Sequence, residues 1–497
     1  MIITKPTLSF NRPEIIGLIV LLLLMYFPLF GHLGNLTIRI WDEARVTVNA
    51  YEMWQTGDLL VTKYMGNPDL WNTKPPLLIW IQAFLLNFFD DIELAMRLPS
   101  ALAGASTILL IYYFVKKQTQ NFWTGFIAAV VLLSSKGYIE VHGTRTGDYD
   151  ALLVFFTTLA CLMFWLFIEH KQTKYLYFFF LSTALGVLTK SISALMFLPA
   201  LFLYTLYRKQ LFEILKNKHF YFGIFVFTLI TAGYYFLREL AAPGYLKAVG
   251  ENELWGRYLS TLENHNEPFR FYYDHLVNGR YKAFYLLLPV GAISGIFLLS
   301  NHHIRNLAIF STLLIVSYFF IISYAKTKLV WYDLPLYPFF AILVSFAIGY
   351  LIQLRRQLNS SIIFVKVGKY LILIFIFGFL TQQIVLITRQ SYKPKDNPYE
   401  GTDYTLTYYL RDALHGKHDL NNIYVIYDGY NTMLKPYIYQ LKDKGVNTDI
   451  KDWRKLKNGD QVVTYQPTLK EHLTSTFDTE IIEIQSDIVT YKLLSRK

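Results

Sequence analysis

The chain has 497 residues, of which 54% are hydrophobic, 17% aromatic and only 17% charged. Its mean hydropathy of +0.30 is too high for a water-soluble enzyme and predicts a polytopic membrane protein. The formal net charge of +11 would suit a nucleic-acid-binding protein. The basic residues, however, fall mainly in short connections between apolar runs, where they set membrane topology, so we predict no nucleic-acid partner. The one cysteine, Cys161, lies within an apolar run and excludes an intrachain disulfide.

The apolar runs predict how often the chain crosses the membrane. The first run, residues 15–30, ends without an Ala-x-Ala-like cleavage site and is predicted to stay as the first span. Runs of roughly 18 to 22 apolar residues then give about eleven predicted spans. They cover residues 14–31, 97–115, 122–139, 149–168, 174–189, 191–207, 219–238, 282–300, 305–324, 334–353 and 368–388.

Basic residues in alternate connections predict the orientation, because lysine and arginine favour the cytoplasmic side. An odd number of spans then places the N-terminus in the cytoplasm and residues after the last span outside. The two long outer loops are residues 32–96 and 241–282. Within the first loop, residues 75–89 are too short to span and amphipathic, which predicts an interfacial helix.

After about residue 390 the composition becomes that of a water-soluble domain. We therefore predict a membrane domain of residues 1–390 and an extracytoplasmic α/β domain of residues 391–497. The predicted elements of the second domain are a strand at 423–427, a helix at 432–443, a strand at 460–465 and a hairpin at 480–494 that turns at Ser486-Asp487. This region carries no glycine-rich phosphate loop, metal-ligand spacing or nucleophile elbow, so we assign it no chemistry.

Charged residues beside the first span predict a site. Asp42, Glu43 and Arg45 follow that span, and Lys74 precedes Pro75-Pro76 later in the same loop. A carboxylate there can accept the proton of a nucleophile, while lysine and arginine can hold a departing phosphate. Lipid-linked glycosyl transfer needs this combination. Two structural alternatives stay open: an ion pair between Asp42 and Arg45, and a Lys74 side chain that merely snorkels to the membrane surface.

Several motifs along the chain resemble one family. They are Asp42-Glu43-Ala44-Arg45, Lys74-Pro75-Pro76-Leu77, Arg97-Leu98-Pro99-Ser100, Gly186-Val187-Leu188-Thr189-Lys190, Glu253-Leu254-Trp255-Gly256-Arg257-Tyr258 and Lys328-Leu329-Val330-Trp331-Tyr332-Asp333. Their order and spacing resemble the protein O-mannosyltransferase superfamily and its bacterial aminoarabinose (lipid A) transferase branch, which are membrane glycosyltransferases with the GT-C fold. The resemblance covers residues 1 to about 355 and leaves out the C-terminal domain.

The resemblance implies acid roles for three carboxylates. Asp42 corresponds to the base that deprotonates the acceptor during inverting attack on the anomeric carbon, and Glu43 supports it. Asp150 corresponds to a second acid, although the neighbouring Asp148 leaves that choice open.

The resemblance also implies contacts to the polyprenyl phosphate. Lys74, Arg257 and Tyr332 correspond to such contacts, with Arg45 nearby. Lys190 and Lys328 correspond to family lysines, which we place on the same side of the site without individual roles. For Lys328 an interfacial anchor stays an equal alternative.

The implied partners are a polyprenyl-phosphate sugar donor, a lipid or protein acceptor and the lipids of a bacterial cytoplasmic membrane. The sequence does not fix whether the sugar goes to lipid A, a protein or another envelope glycan. No cofactor is required; Glu263 and His265 form a candidate divalent-metal set, for which a solvated loop is the preferred interpretation. Two other classes stay open: a transporter or flippase, whose charges should line a path near the bilayer midplane, and a non-catalytic envelope assembly protein.

Overall fold

The computed structural model of the protein describes residues 12–254, 267–357, 363–392 and 401–497. Its contacts divide the chain into two compact units. The first unit comprises residues 1–33, 73–78 and 97–393, and the second comprises residues 34–72, 79–96 and 394–497.

The described residues are mainly helical. The helices are α1 (Arg12–Met25), α2 (Asp42–Thr56), α3 (Leu77–Leu85), α4 (Ile92–Thr119), α5 (Phe122–Leu133), α6 (Lys136–Ile139), α7 (Asp150–His170), α8 (Thr173–Lys190), α9 (Leu198–Tyr207), α10 (Leu211–Leu215), α11 (Lys218–Ala241), α12 (Tyr245–Val249), α13 (Phe271–His275), α14 (Leu287–Ile293), α15 (His302–Tyr324), α16 (Tyr337–Gln357), α17 (Ile363–Tyr392), α18 (Thr405–Leu414), α19 (Lys435–Asp443) and α20 (Pro467–Thr476). The strands are β1 (Lys63–Tyr64), β2 (Asn67–Pro68), β3 (Ile423–Val425), β4 (Asp449–Ile450), β5 (Gln461–Thr464), β6 (Phe477–Gln485) and β7 (Ile488–Arg496).

The prediction of a helical membrane protein is confirmed. Among the described residues, eight helices are long and apolar enough to cross a membrane: Arg12–Phe30, Ile92–Thr119, Asp150–His170, Thr173–Leu195, Lys218–Ala241, His302–Tyr324, Val330–Arg355 and Val367–Ser391. Three further predicted spans form shorter apolar helices, Phe122–Leu133, Leu198–Tyr207 and Leu287–Leu298. They are short because local sequence interrupts the apolar runs: α5 ends at Ser134-Ser135, and a short 3₁₀ segment, Ser191–Leu195, precedes α9.

Capping side chains and a left-handed residue set where several of these helices begin and end. The Asn121 side chain accepts hydrogen bonds from the first free backbone N–H groups of α5, and Asn301 does the same for α15. Helix α7 ends at His170 and is followed by Lys171, whose φ of 58° is left-handed. Only Gln172 separates Lys171 from the start of α8. Because the connection is so short, α7 and α8 run antiparallel and bring the start of one beside the end of the other.

Close packing in the first unit depends on small residues where helices meet. Gly291 of α14 faces the backbone of α16 so closely that a Cβ atom would overlap the carbonyl oxygen of Leu343. Gly349, also on α16, has no atom from another described part of the chain within 4 Å of the position of an added Cβ. The two glycines therefore offer a matched comparison.

We expect Gly291→Ala to destabilise the protein by about 1–3 kcal/mol, because overpacking moves backbone or forces side chains off their rotamers. Gly349→Ala should be neutral or stabilise by up to about 1 kcal/mol, since alanine favours a helix over glycine. Thermal denaturation in detergent measures both. Equal denaturation midpoints for the two variants would contradict close contact between α14 and α16.

The second unit contains a five-stranded mixed sheet in the order β4-β3-β5-β7-β6. Strand β3 runs parallel to β4 and β5, whereas β7 runs antiparallel to β5 and β6. One core beneath the sheet includes the fully buried Val462, Leu473 and Leu493. These elements confirm the predicted small C-terminal α/β domain, including the hairpin that turns at Ser486-Asp487.

The same unit includes most of the predicted first outer loop. The Tyr51 hydroxyl lies 2.5 Å from Asp443, and the Tyr439 hydroxyl donates to Glu52 at 2.8 Å. Helix α2 therefore packs against α19, and residues 34–72 and 79–96 group with the C-terminal residues. The predicted domain boundary at residue 390 did not include residues 34–72 and 79–96 with the C-terminal domain.

Candidate active site

A buried ion pair lies where α7 begins and α8 ends. The Lys190 ammonium lies 2.6 Å from each carboxylate oxygen of Asp150, and both side chains are less than a tenth exposed. The same ammonium lies 5.4 Å from the centre of the Tyr332 ring. The antiparallel pairing of α7 and α8 thus brings Asp150 and Lys190 together, and Tyr332 from the segment before α16 joins them.

Lys74 lies beside this pair. Its ammonium lies 3.5 Å from Glu253, whose side chain is 4% exposed, and 5.5 Å from the centre of the Tyr149 ring. The Thr73 hydroxyl also donates to Glu253, at 3.3 Å. Because Tyr149 directly precedes Asp150, Lys74 lies close to the ion pair of Asp150 and Lys190. Neither Glu253 nor Tyr149 was predicted as a site residue.

Two tyrosines make a second connection between the same segments. The Tyr245 hydroxyl donates to the carbonyl of Thr73 at 2.8 Å, and the Tyr235 hydroxyl donates to Ser191 at 3.0 Å. The two tyrosine rings stack with their centres 5.9 Å apart. The segments that carry the two lysines are therefore fixed by hydrogen bonds as well as charge. Asp150, Lys190 and Glu253 are buried, whereas Lys74 and Tyr332 are partly exposed. We call the following set the cation cluster: Lys74, Asp150, Lys190, Glu253 and Tyr332.

The structure separates the two neighbouring acids. Asp148 accepts a hydrogen bond from the Thr146 hydroxyl at 2.8 Å and lies 2.9 Å from Nδ1 of His142. The His142 ring stacks on Trp331 with ring centres 3.6 Å apart. Asp150 is the acid that contacts Lys190, so the geometry favours Asp150 over Asp148 as a member of the cluster.

Lys328 makes local backbone contacts. Its ammonium donates to the carbonyl oxygens of Glu267 at 2.9 Å and Ala325 at 2.7 Å. Burial and the neighbouring Lys326 lower the pKa of Lys328 below its ordinary value. These bonds fix the segment that leads to Tyr332; a direct contact between Lys328 and a phosphate stays a prediction.

Asp42 and Glu43 open α2 in the second unit. Asp42 is exposed, at the end of the helix where the backbone dipole stabilises negative charge. Glu43 is buried and accepts a hydrogen bond from the backbone N–H of Arg39 at 2.8 Å. The preceding Trp41 has a left-handed φ of 70° and stacks on Tyr430, with ring centres 4.4 Å apart. The first turn of α2 is therefore held in place while the Asp42 side chain is accessible.

Arg45 is held by an acid that the sequence analysis missed. Its guanidinium makes two hydrogen bonds of 2.7 Å to Asp69 and lies 3.5 Å from the centre of the Tyr64 ring. The Asp69 side chain is fully buried and also accepts hydrogen bonds from Asn49 and the backbone of Asn72. Arg45 thus forms an ion pair with Asp69, a partner that was not predicted. A role for Arg45 in phosphate binding stays a prediction.

The Asp69 pair predicts how stability depends on pH. Burial alone would raise the pKa of Asp69, but hydrogen bonds and charge from Arg45, with hydrogen bonds from Asn49 and Asn72, hold it below its ordinary value. A carboxylate with a depressed folded-state pKa stabilises the fold above its unfolded pKa of about 3.9, and this stabilisation is lost as the pH falls through the lower folded value.

We therefore expect Asp69→Asn to lower the thermal midpoint at pH 7, and we expect its difference from wild type to narrow as the pH falls below about 4. Denaturation scans of both proteins between neutral and acidic pH measure this difference. A difference that stays constant over the whole range would show that the Asp69 carboxylate does not contribute through its charge.

Three predicted residues lie outside the part of the chain that the structure describes. They are Arg257, implied as a phosphate contact, and Glu263 and His265, the candidate metal set. Their predicted roles stay predictions.

The position of the described charges bears on the transporter alternative. Asp150 is the first residue of α7 and Lys190 is the last residue of α8. These charges therefore lie at helix ends, whereas a transport path should carry charge near the bilayer midplane.

Sequence comparisons match parts of the chain to glycosyltransferases. Residues 73–235, which include Lys74, Asp150 and Lys190, match the family model described as dolichyl-phosphate-mannose-protein mannosyltransferase. An uncharacterized protein of Aquifex aeolicus (strain VF5) is 26% identical over 469 residues, 94% of this chain and 96% of that protein. The undecaprenyl phosphate-alpha-4-amino-4-deoxy-L-arabinose arabinosyl transferase of Aeromonas hydrophila is 28% identical over 260 residues, 50% of this chain. That match spans 45% of the arabinosyl transferase.

A solved structure supports the same conclusion for the fold. The crystal structure of ArnT from Cupriavidus metallidurans bound to undecaprenyl phosphate superposes with a TM-score of 0.69 and 16% identity. The superposition covers 97% of this chain and 98% of that one. At this identity the likeness establishes the fold. Together with the family match and the named relative, it identifies this chain as a membrane glycosyltransferase with the GT-C fold.

Proposed function

We propose that this enzyme transfers a sugar from a polyprenyl-phosphate donor to an acceptor, with inversion at the anomeric carbon. The observation that carries the proposal is the cation cluster, in which Lys74 and Lys190, from distant parts of the sequence, both lie near the start of α7. The undecaprenyl phosphate bound to ArnT supports the choice of donor.

The leaving group explains the need for cations at this site. As the bond between the anomeric carbon and the phosphate oxygen breaks, the electron pair remains on the phosphate. An ammonium group in a low-dielectric site stabilises this developing charge more strongly than it would in water. Glu253 and Asp150 hold the two lysines in place before the phosphate arrives. In this proposal Arg257, four residues beyond Glu253, adds a third cation.

The nucleophile needs a base. We assign this role to Asp42, whose exposed carboxylate takes the proton of the acceptor hydroxyl or amine. The acceptor atom then attacks the anomeric carbon from the face opposite the phosphate. Glu43 supports Asp42 by fixing the first turn of α2, and Asp150 positions Lys190. Side chains supply each of these functions, so the proposed step needs no cofactor.

The proposed site faces the outside of a bacterial cytoplasmic membrane, with the N-terminus in the cytoplasm and the C-terminal domain outside. The alternating basic connections support this orientation. Lipid A, a protein or another envelope glycan are all compatible acceptors.

Lys74 gives the proposal a specific prediction. We expect Lys74→Met to lower kcat/KM for sugar transfer by about 10²–10³-fold, the usual cost of removing one electrostatic stabiliser of a developing anion. Lys63→Met is the matched control, because Lys63 lies in strand β1 and pairs with Asp58 at 3.0 Å. Equal activity of the two variants would remove Lys74 from phosphate stabilisation.

A donor panel tests the proposed function itself. Purified protein would be incubated with radiolabelled sugars linked to undecaprenyl phosphate or to nucleotides, with bacterial envelope membranes as acceptor. We expect transfer from at least one lipid-linked donor and none from nucleotide-linked donors in washed membranes. Transfer from nucleotide sugars alone, or from no donor, would overturn the proposal.

A further inference from the structure

A second cluster of charged and imidazole side chains lies at the far end of α7. This helix runs for 21 residues from Asp150 to His170, a distance of about 30 Å. Glu169 and His170 close α7, while His302 and His303 open α15. The cluster is thus distinct from the proposed active site and from the sequence candidate at Glu263 and His265.

Three of these residues place metal-binding atoms close to one another. One carboxylate oxygen of Glu169 and one ring nitrogen from each of His302 and His303 all lie within 4.8 Å of one another. Ligand atoms around a tetrahedral zinc ion lie roughly 3.3 Å apart, given zinc–nitrogen distances of about 2.0–2.1 Å. Small side-chain rotations would therefore bring the three ligand atoms to the separation that a bound ion requires. We propose that Glu169, His302 and His303 bind a divalent transition-metal ion.

The surroundings of Glu169 resemble those of a metal ligand. Its side chain is only 3% exposed, and it accepts hydrogen bonds from the Tyr204 hydroxyl at 2.9 Å and the Asn306 amide at 3.1 Å. Carboxylates that bind metals are usually oriented by such outer hydrogen bonds. Arg208 also pairs with this carboxylate and offsets part of its charge. Affinity should therefore rest mainly on the imidazoles, which favours zinc, nickel or copper over magnesium or calcium.

The histidines supply the second argument. Nδ1 of His303 is buried and makes no hydrogen bond within the described residues, which leaves a ring nitrogen available for coordination. The rings of His302 and His303 lie 4.0 Å apart, and the His170 ring lies 6.4 Å from His303. His170 is therefore near enough to complete a four-ligand site by rotating. An ion bound there would cross-link the end of α7 and the start of α15.

Calorimetric titration of ZnCl₂ into the full-length protein tests the site. The protein would carry a purification tag without histidine and would first be stripped with EDTA. We expect one zinc ion per chain, with at least about tenfold weaker binding in His303→Ala and His302→Ala. His302 is exposed, so its replacement keeps the test valid even if His303→Ala does not fold.

His219→Ala is the matched control. His219 is the second residue of α11 and is capped by Asn217, just as His303 is the second residue of α15 and is capped by Asn301. We expect the control to bind zinc like wild type. Zinc should also raise the thermal midpoint of the wild type and of the control, and it should raise the midpoint less in His302→Ala and His303→Ala. Absence of zinc binding by wild type, or equal affinity in all three variants, would overturn the proposal whatever the sugar-transfer activity.

Discussion

Asp42→Asn is expected to lower the rate of sugar transfer by about 10²–10⁴-fold, the range that general-base catalysis contributes. Asparagine keeps the size of the side chain but cannot take a proton from the acceptor. Asp42 is exposed at the start of α2, so the replacement removes a charge from the protein surface and not from its core. The measurement is the initial transfer rate with the lipid-linked donor that wild type uses.

Asp58→Asn is the control for this experiment. Asp58 lies just beyond α2, and its carboxylate accepts hydrogen bonds from the backbone of Leu60 and Val61, which an asparagine oxygen can also do. It should keep nearly the wild-type rate. If Asp42→Asn transferred sugar as fast as Asp58→Asn, another group would have to be the base.

Lys190→Met is expected to destabilise the protein by about 3–5 kcal/mol, because it leaves Asp150 buried without its counter-charge. The pair is almost completely buried, at 8% exposure for the lysine side chain and 5% for the aspartate. The double variant Lys190→Met with Asp150→Leu should recover much of this loss, since it removes both charges. Thermal denaturation of the two single variants and the double variant measures the coupling.

The opposite end of the same helix pair provides a control. Lys171 pairs with Glu213 at 2.5 Å, but both side chains are about half or more exposed. Exposed pairs contribute only about 0–1 kcal/mol, so Lys171→Met should change the midpoint little. If Lys190→Met lowered the thermal midpoint as little as Lys171→Met, Asp150 and Lys190 would have to be well solvated.

Local sequence predicted the elements but not the partners within the site. Apolar runs and alternating strands identified the membrane helices and the C-terminal sheet, because each depends on residues close in sequence. Asp150 and Lys190 were identified by resemblance, and their contact follows from the short α7–α8 connection. Glu253 contacts Lys74, which lies 179 positions earlier in the sequence. Asp69 contacts Arg45 across 24 positions that include most of α2 and the strands β1 and β2. Such pairs depend on tertiary packing, which no local pattern specifies.

The stereochemistry of transfer tests the central claim most directly. The product would be formed from a lipid-linked donor of known anomeric configuration and analysed by nuclear magnetic resonance. Direct attack by an acceptor that Asp42 has deprotonated, opposite a phosphate held by Lys74, requires inversion at the anomeric carbon. A product of inverted configuration is the expected result. Retention would contradict the account, since it would require two successive displacements and a glycosyl–enzyme intermediate.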